Sequence, residues 1–238
     1  MTSHQILNPA DHGDLRVHTG PGAEWGDAVM ACLTVPAEFR QVQAHCPIVF
    51  RRDDASGAFS AMALFGFSHG ENLFLGIDRW DAGYRPAALA IQPFLVGRHP
   101  AGGEAQVHID MAHPRIASGG EGTRVFDAEG RPTPYLERIA SLLGNLDHGY
   151  RASGGFFAAL ESRDLLEPFS FEVSLDDGSR HSLVGFHTIA EERLAALPPA
   201  EVAQLHAEGW LEPIYMAMAS ISQFSRLVAL KNASLAHG

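Results

Sequence analysis

The sequence ENLFLGIDRWDAGYRPAALAIQPFLVGRHPAGGEAQVHID, residues 71–110, is the stretch around which the chain is organised. Its short apolar run Leu73–Ile77 follows a turn-forming segment and predicts a strand. A second apolar stretch, Ala87–Ile91 with Leu95–Val96, is interrupted by Pro93. Because proline lacks a backbone N–H donor, this second stretch predicts an edge strand or a β-bulge.

The residues around this stretch predict further strands. Val29–Val35 is apolar and partly β-branched, and it predicts a strand. Pro47–Arg52 and Ala58–Phe67 flank an aspartate-rich turn, which is typical of a hairpin. Gln106–Asp110 predicts another strand after a loop at Ala101–Glu104. We therefore expect an antiparallel sheet in the first half of the chain.

Helical patterns begin after residue 130. Thr133 is a good N-cap residue, and Pro134 suits the first helical position. Apolar residues at helical spacing over Leu136–Leu143 predict a helix that ends at Asn145–Gly149. Phe156, Phe157 and Leu160 predict a second helix, which Gly154 and Gly155 weaken.

The last third contains the clearest strand signal. Phe169–Leu175 alternates apolar and polar residues, Asp177 and Gly178 form a two-residue turn, and Arg180–Phe186 is the return strand. Further helices follow, the last of which starts after Pro213 and runs to about residue 232.

These patterns predict an α+β fold. The N-terminal half is antiparallel and β-rich, from about residue 25 to 130, and the helical C-terminal half, about 131–238, contains an inserted β-hairpin. We expect a single domain over residues 1–238.

Composition restricts the partners and the compartment. The net charge of −11 argues against nucleic acid, which binds clustered lysine and arginine. No apolar run is long enough for a membrane span, and the N-terminus lacks a secretory signal, so we expect a cytoplasmic protein.

We interpret Cys32 as a buried structural thiol and expect Cys46, which precedes a proline, near the surface.

Aromatic residues and a proline suggest a binding site. Trp80, Tyr84, Pro93 and Phe94 lie close together in the sequence. These residues either pack in a core, as large rings usually do, or line a groove for a ligand or peptide.

The other candidate chemistry lies at His108 and Asp110. On a strand, residues i and i+2 face the same side, so these two side chains could bind a metal together with His113 or with a distant His181 or His187. The alternative is a structural Asp110 that caps a turn or pairs with an arginine. No dinucleotide or phosphate-loop pattern is present, and we expect no cofactor.

Several short motifs follow one another over nearly the whole chain: Asp14–Val17, Pro47–Phe50, Glu71–Phe74, Trp80 and Tyr84 leading into Pro86, Pro93–Phe94, Ile109–Asp110, Val125–Asp127 with Gly130, Leu183–Phe186, Ile189–Leu194, and Gly209–Leu211 with Ile214, Tyr215 and Ser220. In this order they resemble the SapC family. Where family members have basic residues and an aromatic before Pro93, this chain has Ala90-Ile91-Gln92.

The resemblance implies a bacterial protein linked to surface-layer or outer-membrane uptake systems. We expect a non-catalytic accessory or binding protein with a protein or peptide partner, contacted through Trp80, Tyr84, Pro93, Phe94 and Asp110. Its last helix is apolar on a wide arc and packs either in the core or against a second copy in a homo-oligomer. The alternative function is a metal-dependent, non-haem iron type of oxygenase that uses His108 and Asp110.

Overall fold

The computed structural model describes residues 3–76, 79–98 and 105–237 and confirms the α+β class. The described strands are β1 (His4–Ile6), β2 (Arg16–Val17), β3 (Ala31–Thr34), β4 (Ile48–Arg52), β5 (Phe59–Leu64), β6 (Leu75–Gly76), β7 (Arg79–Trp80), β8 (Phe94–Gly97), β9 (Gln106–Asp110), β10 (Thr123–Arg124), β11 (Leu166–Ser174) and β12 (Arg180–Ile189). The described helices are α1 (Pro9–His12), α2 (Phe39–Val42), α3 (Ala87–Ala90), α4 (Pro134–Glu161), α5 (Glu191–Ala195), α6 (Pro199–Ala207), α7 (Leu211–Ser220) and α8 (Phe224–His237). Short 3-10 helices lie at Ala23–Trp25, Pro36–Glu38 and Ile221–Gln223. None of these helices has both the length and the apolar character of a membrane span.

The chain forms two compact units that each draw on separate segments. Unit 1 comprises Met1–Ala28, Leu75–Trp80 and Ala87–His148, and unit 2 comprises Val29–Phe74, Asp81–Pro86 and Gly149–Gly238. The expected change from a β-rich to a helical part near residue 130 does not coincide with these boundaries. The single-domain prediction stays a prediction.

Unit 2 is built on a five-stranded antiparallel sheet with the order β11-β12-β4-β5-β3, called the main sheet below. The predicted hairpins of both halves are confirmed as β4–β5 and β11–β12. The C-terminal hairpin joins the N-terminal strands because β12 pairs with β4 through Phe186 and His187. One face packs an aromatic cluster in which Phe50, Phe156 and Phe157 have ring centroids 5.3–6.2 Å apart.

A β-bulge bends the C-terminal hairpin. Phe169 pairs with Phe186 and Phe171 with Leu183, so β12 contains one more residue than β11 between these pairs. Gly185 lies in this extra segment with a φ of 81°, a conformation that costs glycine little. The bulge leaves the side chain of Val184 exposed.

Unit 1 holds a three-stranded sheet in the order β1-β9-β8 and the short pair β10–β2. The edge position predicted for the strand after Pro93 is confirmed, since β8 is the outer strand. The core of the unit consists of buried apolar side chains from these strands and from the first half of α4, namely Val17, Ile91, Phe94, Ile109, Val125, Phe126, Leu136, Ile139 and Leu143.

A buried ion pair fixes the N-terminal segment of unit 1. The Nη2 atom of Arg115 donates to both carboxylate oxygens of Asp27 at 2.7 Å, and both side chains are almost fully buried. Its Nη1 atom donates to the carbonyl oxygens of His18 and Gly20 at 2.8 Å. The backbone N–H of Gly22 also donates to Asp27, at 3.0 Å. These contacts replace most of the water that both charges lose on burial, while the Nε atom of Arg115 is buried without a hydrogen-bond partner among the described residues.

Two strand predictions in the central stretch need correction. Ala87–Ile91 was expected to be a strand, but Ala87–Ala90 forms α3. Alanine and leucine are strong helix formers, and this local preference prevails here. Of the predicted strand Leu73–Ile77, only Leu75–Gly76 is a strand, while Ile77 lies outside the described residues. The loop predicted at residues 101–104 also lies outside them.

The predicted break in the long helix is wrong. Residues Pro134–Glu161 form one helix of 28 residues, which passes through the expected exit at Asn145–Gly149. Thr133 caps its start, because its Oγ1 atom accepts a hydrogen bond from the N–H of Leu136 at 3.4 Å. The glycines do not end the helix because its buried residues, from Leu136 to Leu160, pack along its whole length.

The last helical segment also differs from expectation. It begins at Leu211, with Pro213 in its first turn, where a missing N–H costs no helical bond. A 3-10 turn at Ile221–Gln223 then separates α7 from α8, which ends at His237 rather than near residue 232.

Candidate functional site: an open sheet edge beside an apolar groove

Strand β3 is an open edge of the main sheet. The N–H of Phe65 donates to Met30 at 2.7 Å, and the N–H of Leu64 donates to Pro47 at 3.0 Å. Successive residues of β5 therefore bond alternately to β3 and to β4. With the observed register, Cys32 and Thr34 bond to β5, while the N–H and C=O groups of Ala31 and Leu33 point away from the sheet. No described strand pairs with β3 on that side.

The open edge lacks the features that usually prevent strand addition. Exposed edges of natural sheets commonly carry charged residues, prolines or bulges. The segment Met30–Val35 contains no charged residue and no proline. The Leu33 side chain is 42% exposed, so an apolar group is accessible beside the unpaired main chain.

An apolar groove of about 290 Å³ lies beside this edge. The main sheet supplies one wall and the second half of α4 the other; the residues that form them include Thr34, Phe59, Ala61, Tyr150, Gly154 and Phe157. The rings of Phe59 and Phe157 stack with centroids 6.0 Å apart. The Tyr150 side chain, 61% exposed, stands at the rim. The groove thus presents apolar surface directly beside unpaired backbone groups.

A glycine allows α4 to approach β3. A Cβ atom added to Gly149 would lie 2.7 Å from Cγ2 of Val35, much closer than real side chains pack. Val35 directly follows β3 and is buried. In contrast, a Cβ atom added to Gly154 meets nothing within 4 Å, because that glycine faces open space at the groove. The absence of a side chain at Gly149 therefore sets how close the two walls are.

A buried carboxylate anchors the end of β3. Glu38 is 6% exposed, and its oxygens accept hydrogen bonds from Thr34 Oγ1 at 2.8 Å and from the Tyr84 hydroxyl at 2.6 Å. Burial, and then the hydrogen bond to Glu38, raises the pKa of the Tyr84 phenol. The predicted binding residue Tyr84 thus ties the segment 81–86 to the main sheet.

Of the two thiols near β3, Cys46 is buried, whereas Cys32 is half-buried and not fully buried as expected. Burial first, and then the charge of Glu38, raises the pKa of Cys32 well above its ordinary value. Burial raises the pKa of Cys46 to about 12. The expectation that Cys46 lies near the surface is wrong, because it is 1% exposed. Neither thiol has the lowered pKa of a reactive cysteine.

The other residues of the predicted aromatic site lie in unit 1. Trp80 is in β7, opposite Leu75, and is half-buried. Pro93 is buried, and Phe94 lies in the core with its ring centroid 6.1 Å from that of Tyr135. These placements match the packing alternative for Phe94. The binding role of Trp80, Tyr84, Pro93, Phe94 and Asp110 stays a prediction.

Asp110 stabilises a turn. Its Oδ1 atom accepts hydrogen bonds from the backbone N–H groups of Ser3 and Ala112, both at 3.0 Å. These bonds, the one from Ser3 first, lower the pKa of the carboxyl. His4 lies opposite Asp110 in the β1–β9 register, with Nε2 3.9 Å from Oδ2. These contacts support a structural role for Asp110.

The histidines considered as metal ligands have other surroundings. His108 lies over Gly97 of the neighbouring strand. The N–H of Arg115 donates to His113 Nδ1 at 3.2 Å. His181 and His187 lie in β12, where their rings are 5.9 Å from Phe67 and 5.0 Å from Phe59. Among the described residues, no group of three or more histidine, cysteine, aspartate or glutamate side chains could hold a metal ion.

Comparison with known proteins identifies the family. The model of the family described as SapC matches residues 7–227. The chain belongs to the SapC family. Searches of curated proteins and of solved structures gave no match.

The SapC motifs of this chain form structural contacts. Ser220 accepts a hydrogen bond from the N–H of Ile48 at 2.8 Å, which joins α7 to β4. Glu71 accepts from the N–H of Phe67 at 2.7 Å and pairs with Lys231 at 2.6 Å. Asp127 accepts from two backbone N–H groups of its own turn. In this SapC-family chain these motif residues therefore stabilise the fold.

Sequence reasoning missed the open edge and its groove. The run Val29–Val35 predicted a strand, but its position at the edge depends on pairing with residues far along the chain. The absence of charge between Met30 and Val35 is the one sequence signal that could have indicated an unprotected sheet edge.

Proposed function

We propose that this SapC-family chain is a non-catalytic accessory protein that binds an extended segment of another protein by adding it as a strand to β3. The observation that carries the proposal is the outward main chain of Ala31 and Leu33 beside the apolar groove. Strand addition uses such edges, with main-chain bonds for affinity and side-chain pockets for specificity. The family resemblance supports a place in a surface-layer or outer-membrane uptake system.

The main chain alone supplies only part of the binding free energy. Ala31 and Leu33 each offer one donor and one acceptor, and four hydrogen bonds contribute roughly 2–6 kcal/mol. Micromolar binding takes about 8 kcal/mol. The difference has to come from apolar contacts, which the groove and the Leu33 side chain provide.

The experiment selects binders from a library of random peptides displayed on phage and compares variants of β3. Leu33→Pro removes an outward N–H that makes no bond within the sheet, so the fold persists while peptide binding is lost. Leu33→Ala keeps the N–H and lowers affinity only by the lost side-chain contact. Cys32→Pro removes a bond to β5 and lowers stability, which confirms the assigned register.

Two results would overturn the proposal. One is a library that gives no binder to the folded wild-type chain. The other is a set of binders whose affinity for Leu33→Pro equals that for the wild type. Circular dichroism of each variant checks that lost binding does not reflect unfolding.

A further inference from the structure

The register of β3 determines where the side chains of an added strand would lie. Neighbouring residues of a strand face opposite sides of the sheet, and directly paired residues share a side. Thr34 pairs with Ala61, and Phe59, two residues before Ala61 on the same face, stacks on Phe157 of α4, so the pair faces the groove; Leu33 borders the groove only at the sheet edge. A bound residue opposite Thr34 therefore has its side chain on the groove side, while its neighbour opposite Leu33 faces the other side of the main sheet.

The groove has room for one large side chain. Its volume of about 290 Å³ is at the lower end of the range of small-molecule pockets, roughly 300–1,000 Å³. Phe59 and Phe157 form apolar walls, and no atom within 4 Å would meet a Cβ atom added to Gly154.

Of the four hydroxyl groups that line the groove, the two buried ones, of Thr34 and Ser153, are already engaged within the protein, and that of Tyr150 lies at the exposed rim. Thr34 Oγ1 donates to Glu38 at 2.8 Å, and the Oγ atom of the buried Ser153 donates to the carbonyl oxygen of Gly149 at 2.8 Å. A polar side chain that entered would lose water without gaining these donors, which is unfavourable. No residue that lines the groove is acidic, and Arg151 is the only charged one among them.

We propose that the groove is a specificity pocket for a single aromatic or branched aliphatic side chain, carried by the added strand at the position opposite Thr34. This inference rests on the proposed function and specifies its ligand: an extended protein segment with one large apolar residue whose neighbour in the strand packs against Leu33. The pocket and the main-chain edge act together, the first by selecting the side chain and the second by aligning the strand.

The test is an alanine scan of the tightest-binding peptide from the displayed library, measured against the folded full-length chain. One large apolar position is expected to lower affinity at least about tenfold when changed to alanine, since burying such a side chain contributes about 1.5–3 kcal/mol. Substitution of that position by aspartate is expected to lower affinity further.

Two glycines of α4 supply the matched variants. Gly154→Leu fills the groove. It is expected to reduce the affinity of the selected peptide to that of the same peptide with alanine at the large apolar position, and to leave the affinity of this alanine-substituted peptide unchanged. Gly144→Leu makes the same change at an exposed helical position with nothing within 4 Å of the added Cβ, and it leaves both affinities unchanged. Both variants replace a helical glycine, so both keep the fold.

The outcomes separate the pocket from the edge. If binders are lost in Leu33→Pro but no single apolar position matters, or if Gly154→Leu and Gly144→Leu behave alike, the specificity pocket is refuted and strand addition stands. If no binder is found, both proposals fail. If sedimentation shows a dimer that Leu33→Pro converts to a monomer, the occupant is a second copy of this chain and the proposed ligand is wrong.

Discussion

The contact between Gly149 and Val35 gives a sharp test of how α4 packs on the main sheet. In Gly149→Ala the new Cβ atom would lie 2.7 Å from Cγ2 and 3.1 Å from Cβ of Val35. The Val35 side chain is buried and β-branched, so it has little freedom to move. Overpacking of this kind costs about 1–3 kcal/mol.

Helix propensity acts in the opposite direction. Alanine in a helix interior is more favourable than glycine by about 0.8–1.0 kcal/mol. We therefore expect Gly149→Ala to lower the free energy of unfolding by up to about 2 kcal/mol. Gly154→Ala keeps the gain in propensity and adds no close contact, so it raises stability by about 0.5–1 kcal/mol. The difference between the two variants isolates the contact with Val35.

The assay is urea unfolding followed by circular dichroism and by tryptophan fluorescence, so that coincident transitions confirm a single step. A double-mutant cycle with Val35→Ala checks the cause, because removal of the Val35 methyl groups makes room for the alanine. A coupling energy of about 0.5–3 kcal/mol is expected for residues in contact. Equal stabilisation by Gly149→Ala and Gly154→Ala would refute the packing argument.

Two further predictions concern carboxylates of unit 1. Asp27→Ala leaves the buried guanidinium of Arg115 without its partner, and we expect a loss of about 3–5 kcal/mol, measured by thermal unfolding. Asp14→Ala, at a 99% exposed carboxylate that also pairs with an arginine, is the control and should change stability by about 1 kcal/mol or less; equal effects would contradict the assignment of a buried pair. The pKa of Asp110 is lowered in the folded chain, so its charge stabilises the fold above the unfolded value of 3.8, and this contribution is lost as pH falls through the lower folded pKa. The difference in unfolding free energy between wild type and Asp110→Asn should therefore shrink between about pH 5 and pH 3, and a difference that stays constant with pH would count against the bonds from Ser3 and Ala112.

The sequence correctly predicted those strands that depend only on residues near them in the chain. The alternation around Asp177-Gly178 and the run Pro47–Arg52 each fix a strand through their immediate neighbours, and both are strands in the structure. The pairing of β12 with β4 could not be predicted, since it joins Phe186 to Arg51 across most of the chain.

Where local and tertiary preferences disagree, prediction failed. The glycines and Asn145 in α4 favour a helix end by propensity, but burial of Phe156, Phe157 and Leu160 outweighs that preference. The candidate site shows the same difference between what local sequence and what tertiary contacts reveal. Tyr84 was singled out as one of several aromatic residues close together in the sequence. Its partner Glu38 carries no such signal, because a buried acid cannot be told from a surface acid until its hydrogen-bond donors are known.

The strand order of the main sheet has a consequence for synthesis of the chain. Strands β3, β4 and β5 leave the ribosome early, but β4 lacks its second neighbour until β12 has been made. Until then a nascent chain presents two open edges, at β3 and at β4, and such edges promote association between chains. The late pairing also gives unit 2 many contacts between residues distant in sequence, which slows folding. Once β12 has paired with β4, the outer strands of the main sheet are β3 and β11.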